Sequence, residues 1–350
     1  MNTRINQLKA SLKSAGLNGL IVFSSANISY LTGNRSRDAY LLILPKRNIY
    51  LTDSRYYEEI KRSLKNFEVI KIEDSFIQTL KQILDKTGVK SIAFEASHLS
   101  YAAYQKISKR LSGVRLIPAS GLIEGLREIK DRKELALIRK AAKIALEAFD
   151  FIEGQLKPGK TELQIAAELE RFIKYRGGYA ASFEIIVGSG PNSSYPHHQT
   201  SSRVIRQNEP VLIDAGVDYK GYKSDLTRVF FLGKMKLLVR EVFDIVKEAQ
   251  AQAIKRIKAG EPLRNIDAAA RGYIAEKGLG ELFTHTTGHG VGLEVHEAPR
   301  ISAKETKTIK EGMVLTIEPG IYYPGFFGIR IEDMVVVTKK GAQVISGTIN

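Results

Sequence analysis

Along the first third of the chain, apolar and polar positions recur at two alternating periods. In INQLKASLKSAG, Ile5, Leu8, Leu12 and Ala15 are spaced as on one helical face and the run stops at Gly16, which predicts a helix closed by a glycine cap. GLIVFSS, AYLLIL and NIYLTD are apolar runs of strand length, and SRYYEEIKRSL then returns to helical spacing. The exchange continues through SFIQTLKQILDKTG, SIAFE, SYAAYQKISKRL and VRLIPA. Strands alternating with helices predict a mixed or parallel sheet covered by helices, forming an α/β domain over residues 1–122.

After a linker at 123–130 the pattern changes. A long helix is expected beyond Asp131, and a second in TELQIAAELERFIKYRGG, with Thr161 as its N-cap and Gly177 and Gly178 as its stop. Strand-like runs follow, interrupted by the helical patterns KLLVREVFDIVKEAQAQAIKRI and LRNIDAAARGYIAEKG. Residues 131–350 therefore read as an α+β domain, and a chain of 350 residues suits two domains. No tandem repeat or low-complexity segment interrupts this organisation.

Composition removes several classes of function. With 43% hydrophobic and 26% charged residues the chain is of ordinary globular type. No apolar run approaches the roughly 18 residues of a membrane span. MNTRINQLKASLKSAG lacks the apolar core of a signal peptide, so the expected compartment is the cytoplasm, with no membrane partner. Cysteine is absent, so any metal must be held by His, Asp, Glu or water. The formal charge of +15 raises nucleic acid as a partner, but the basic residues are scattered singly and no block of them occurs. A solvated basic surface is the expectation, with an anionic partner as the alternative.

Candidate chemistry is concentrated in the second half, which holds five of the six histidines. In VLIDAGVDYKGYKSDLTRVFF, Asp214 and Asp225 lie 11 positions apart about Tyr219 and Lys220. A hairpin centred there would face the two carboxylates across neighbouring strands, with Cβ atoms roughly 5 Å apart. Like charges so placed repel unless a cation lies between them. The same geometry recurs in VLTIEPGIYYPGFFGIRIEDMVVV, where Glu318 and Glu332 are symmetric about Gly325. His289, in TTGHGVGLEVHE, adds an imidazole, and the set is an oxygen-rich site suited to divalent cations. Two ions would neutralise it best. His289 and His296 are seven positions apart and framed by glycines, which argues against the helical two-histidine motif of zinc proteases.

DAGVDYKGYKSDLTR, TGHGVGLEVHE, LTIEPGIYY and GIRIED, in this order and spacing, resemble the pita-bread metallopeptidases, the family of methionine aminopeptidase, aminopeptidase P and prolidase. GLIVFSSANISYLTG and NIYLTDSRYYEEIK resemble the extra N-terminal domain of the creatinase, prolidase and aminopeptidase P branch. The resemblance implies a C-terminal pita-bread catalytic domain preceded by a smaller α/β creatinase-type domain. It implies two divalent ions, Mn²⁺ or Co²⁺ before Zn²⁺ or Fe²⁺. Asp214 would hold one ion, Asp225 and Glu332 would bridge, and His289 with Glu318 would hold the second. His197 and His296 match histidines that contact substrate or the reaction intermediate, and Glu318 is the candidate proton carrier. Proline-containing peptides or dipeptides are the implied substrates and a homodimer the implied assembly.

The expected activity is that of an Xaa-Pro aminopeptidase. An Xaa-Pro dipeptidase is the alternative, and a non-catalytic metal-binding relative a more distant one. Arg300 and Arg330 are candidates for binding a dipeptide's C-terminal carboxylate, Arg330 equally for bracing Glu332. Three features depart from the family pattern: Tyr179, the second histidine His198, and the basic stretch GKMKLLVREV.

Overall fold

The computed structural model describes residues 2–35 and 37–347. The chain divides into two compact units, Met1–Arg127 and Glu128–Asn350.

In the first unit six strands form one mixed sheet: β1 (Leu20–Val22), β2 (Ala39–Ile43), β3 (Asn48–Thr52), β4 (Glu68–Lys71), β5 (Ser91–Glu95) and β6 (Arg115–Ala119). Their order is β4-β3-β2-β1-β5-β6, antiparallel across β1-β2 and β2-β3 and parallel elsewhere. Helix Asn2–Ser14 ends as expected, with Gly16 at φ +68° and the Leu17 amide donating to Leu12 O at 2.8 Å. One helix was not anticipated. Ser24, inside a run that reads as strand, caps helix Ser25–Thr32 by accepting from the Asn27 amide, and Gly33 closes that helix at φ 73°.

The second unit opens with helix Arg132–Glu153, held at its start by reciprocal hydrogen bonds between Asp131 and Glu134. Thr161 and Gln164 cap helix Glu162–Tyr175 in the same way. The strands are β7 (Ala180–Ala181), β8 (Ile186–Ser189), β9 (Pro210–Ala215), β10 (Val217–Tyr219), β11 (Tyr222–Lys223), β12 (Leu226–Phe231), β13 (Gly288–Gly290), β14 (Glu297–Ile301), β15 (Val314–Ile317), β16 (Gly320–Tyr323), β17 (Phe327–Arg330), β18 (Asp333–Thr338) and β19 (Gly341–Val344). They form sheets ordered β12-β9-β8, β11-β10-β7, β14-β13-β15-β18-β19 and β16-β17.

Period-two alternation sends successive residues of one strand into different cores. Val314, Met334 and Val336 pack with the helices that carry Ile138 and Ile165. Leu315, Val335 and Val337 pack with helices Leu237–Arg256 and Leu263–Glu276. The sheet is thus clamped between two helical layers, which makes its edges and turns a rigid support for side chains. Among the described residues no helix is long and apolar enough to cross a membrane.

Two hairpins set the ligand positions. The first has its centre one residue later than the symmetric expectation, because Lys220 (φ 52°) and Gly221 (φ 92°) form a two-residue turn and Tyr219 pairs with Tyr222. Asp214 therefore faces Thr227, and Asp225 is diagonal to it rather than directly opposite. The second hairpin has the expected register. Ile317 pairs with Asp333 and Gly320 with Arg330, so Glu318 and Glu332 stand at opposed positions. A single bridge, Thr227 to Glu332, joins the two hairpins.

Candidate metal centre

Each hairpin contributes two carboxylates, and β13 brings an imidazole between them. Ligand atoms of Asp214, Asp225 and Glu332 lie within 4.8 Å of one another, as do those of His289, Glu318 and Glu332. A third such group is Asp225, His289 and His296. The five positions expected from the sequence thus converge on one locus, with Glu332 common to two of the groups.

Gly288 and Gly290 make this convergence possible. A Cβ on Gly288 would fall on the Thr316 carbonyl, and one on Gly290 on the Ala298 carbonyl, so only glycines let β13 thread between β14 and β15. The His289 amide donates to Thr316 Oγ1 at 3.1 Å. Its Nδ1 is 3.0 Å from Gly290 O, which can only accept, so Nδ1 carries the ring proton. Nε2 is then left as a lone pair, 3.6 Å from Asp225 Oδ2 and 3.5 Å from Glu318 Oε1. That is the tautomer a metal requires.

The electrostatics favour a cation. Burial, followed by the charges of Asp214 and Glu318, raises the Asp225 carboxyl well above the carboxylate range. Burial and then Asp225 do the same for Glu332. Burial pushes Glu318 up to about 8, against Arg330 and with Asp214. Burial, reinforced by the charges of His296 and Arg300, lowers His289 to about 4. Two buried oxygens, Asp214 Oδ1 and Glu332 Oε1, have no hydrogen-bond partner among the described residues. Orphaned carboxylate oxygens, a neutral imidazole and no thiolate make a donor set that fits divalent ions.

Arg330 is buried with all three guanidinium nitrogens engaged. Nη2 is 2.5 Å from Asp214 Oδ2, Nε donates to Thr227 Oγ1 at 3.1 Å, and Nη1 donates to Pro196 O at 3.1 Å and Tyr322 Oη at 2.9 Å. The guanidinium braces Asp214, and Thr227, which it also holds, donates to Glu332 Oε2 at 2.8 Å. Arg300, opposite His289 across β13 and β14, is instead exposed.

Sequence reasoning assigned no role to His285 or Tyr322. His285 Nδ1 is 2.8 Å from Thr286 O, so Nε2 accepts the Tyr322 hydroxyl at 2.9 Å. Tyr322 accepts in turn from Arg330, giving a directed chain that ends on Asp214. Burial pushes the phenol up to about 12 and lowers His285 to about 4, which keeps both neutral. The signal was available in the position of His285 four residues before His289 and in the paired tyrosines of GIYY.

His296 is exposed, its ring 4.3 Å from that of His289. Lys130 and Glu297 form a buried ion pair at 3.3 Å, and Glu297 also accepts the Glu294 amide at 3.0 Å, securing the loop that presents His296. His197 is exposed in the loop after Pro196.

Four carboxylates and an imidazole on two hairpins and a glycine-framed strand have the donor set of a divalent-metal centre. Residues 136–339 match metallopeptidase family M24 and residues 4–129 match the Creatinase/Prolidase N-terminal domain. The chain belongs to metallopeptidase family M24, in the two-domain branch of that family. It is 34% identical over 350 residues to the Xaa-Pro dipeptidase of Pyrococcus horikoshii, covering 99% of this chain and 98% of the relative. It is similar to the structure of an Xaa-Pro dipeptidase from Bacillus anthracis (TM-score 0.96, 37% identity, 99% and 97% of the two chains). It is also similar to that of an X-Pro aminopeptidase from Thermotoga maritima (TM-score 0.89, 35% identity, 95% and 96%).

Proposed function

We propose that this protein hydrolyses the peptide bond preceding proline, using two divalent ions held by Asp214, Asp225, His289, Glu318 and Glu332. The observation that carries the reading is the pair of ligand groups sharing Glu332. Four ionised carboxylates beside Arg330 leave three formal negative charges, and two divalent ions convert this to a single positive one, which attracts an anionic nucleophile or substrate. Asp214, Asp225 and Glu332 would hold one ion, and His289 and Glu318, with Glu332 common to both groups, would hold the second. Manganese or cobalt suits this oxygen-rich set. Such ions, when bound, acidify water to near neutrality and polarise a substrate carbonyl.

The chain's own groups supply the remaining steps. Glu318, with 16% of its side chain accessible, is the best placed to take a proton from the nucleophile and return it to the leaving prolyl nitrogen. His296, grouped with Asp225 and His289, and exposed His197 are the candidates to donate hydrogen bonds to the substrate and the developing oxyanion, where removing one such donor costs about 2.7–4 kcal/mol of barrier. The chain from His285 through Tyr322 and Arg330 holds the Asp214 carboxylate in place. Exposed Arg300 fits the C-terminal carboxylate of a dipeptide and favours the dipeptidase reading. Similarity to an X-Pro aminopeptidase supports the aminopeptidase as the second reading.

The test loads the protein with Mn²⁺ or Co²⁺ and compares an Xaa-Pro dipeptide with a longer Xaa-Pro-Xaa peptide. Cleavage before proline is expected, lost in Asp225→Asn and His289→Ala while the fold survives. Full activity in either variant, or none in the metal-loaded protein, overturns the reading.

A further inference from the structure

His198 has no part in the centre described above, yet it lies within a tightly bonded group. Its Nε2 is 2.9 Å from Glu162 Oε2, and the two side chains are 11% and 0% exposed. A carboxylate only accepts, so Nε2 carries the proton. Glu162 opens helix Glu162–Tyr175, where the helix dipole favours its charge. The same carboxylate accepts from the Ser189 amide and hydroxyl, both at 2.8 Å, and from Asn192 Nδ2 at 3.0 Å. It also accepts from the Ser201 amide at 3.2 Å and the Ser201 hydroxyl at 2.6 Å. One buried charge therefore gathers the end of β8, the turn after it and the loop through 201.

On the other side of His197, the carbonyl of Pro196 accepts from Arg330, which is itself fixed to Asp214. His197 thus sits between two anchored neighbours, one tied to the carboxylate cluster and one to Glu162. The His197 side chain remains exposed. Tyr195 lies alongside the His198 ring, with centroids 6.4 Å apart and planes at 25°.

We propose that Glu162 and His198 are positioning residues that hold His197 at the substrate side of the metal centre. The kinetic part of this inference rests on the Xaa-Pro peptidase reading; the geometric part does not. Among the described residues His197 has no side-chain hydrogen-bond partner, so its placement comes from the backbone on either side. Loss of the His198 to Glu162 bond frees one side.

His198→Leu removes the donor while filling similar space, and His198→Gln restores a donor that can reach Glu162. In the metal-loaded protein, His198→Leu is expected to lower kcat about 10-fold to 100-fold at unchanged metal content, with His198→Gln recovering most of it. Adding His198→Leu to His197→Ala should cost nothing further. An equal loss with and without His197 overturns the proposal, because His198 would then act on folding alone. A second readout is the imidazole Cε1–H resonance of His197, which should shift or broaden in His198→Leu and return in His198→Gln. If the wild-type protein cleaves no Xaa-Pro substrate, a moved resonance still supports the positioning and an unmoved one overturns it.

Discussion

Stripping the metal should make the protein's stability fall as pH rises above neutrality, and Glu318→Gln should flatten that fall. Glu318 titrates at about 8 in the fold against an ordinary 4.5, so the folded state holds its proton longer than the unfolded state does. Where the folded state binds more protons, stability drops with rising pH. His285 and His289 act in the opposite sense: lowered from 6.5 to about 4, they make the fold gain stability as pH rises toward 6.5 and contribute nothing further above it. The clean window is therefore pH 6.5 to 8. Across it Glu318 alone accounts for a loss of about 1–2 kcal/mol, at 1.36 kcal/mol per pH unit and with some screening of its partly accessible carboxyl. Asp225 and Glu332, raised by the same burial, act in the same direction.

The measurement is urea unfolding followed by circular dichroism, in chelator, at several pH values across that window. Metal added back should remove the slope and release protons, because the ions replace them on the carboxylates. Metal-free protein as stable at pH 8 as at pH 6.5 would refute the reasoning, as would a Glu318→Gln variant that keeps the whole wild-type slope.

Two further outcomes follow from the packing. Arg330→Met should destabilise the metal-free protein by about 3–5 kcal/mol, since it leaves Asp214 buried without its partner, and denaturant unfolding will show it. Gly288→Ala should cost about 1–3 kcal/mol by forcing β13 away from the Thr316 carbonyl, and isothermal titration should show weakened binding of metal through displaced His289.

How much of this could be read in advance varied with the distance over which each feature is determined. Glu318 and Glu332 are placed by one unbroken antiparallel register, so symmetry about Gly325 was enough to oppose them. Asp214 and Asp225 were offset because turn type, rather than symmetry, decides the centre of a short hairpin, and Lys220 at positive φ gives no warning in its side chain. Helix Ser25–Thr32 was invisible because its cap lies within an apolar run and its residues are weak helix formers. The hydrogen-bond chain from His285 to Asp214 draws on four separate segments, and its residues meet only through the tertiary fold. Arg330 carried two readings in the sequence, and only its full set of bonds shows that it holds Asp214. Tyr179 is half exposed just before β7, and GKMKLLVREV leads into helix Leu237–Arg256, where Val239 and Val242 pack in the core with Ile317 and Ile331.

The tip joining β16 and β17 acts as a reading frame for chemistry it never touches. Gly325 lies seven residues from each of Glu318 and Glu332, about 20 Å along an extended strand. Adding or deleting one residue there would move one glutamate to the other face of its strand relative to its partner, dismantling a shared ligand from outside the centre. Phe326 at the tip is exposed, so its replacement is expected to cost little, whereas a change in the length of the tip would shift the register. The metal centre thus reaches a surface loop as a constraint on counting rather than on chemistry.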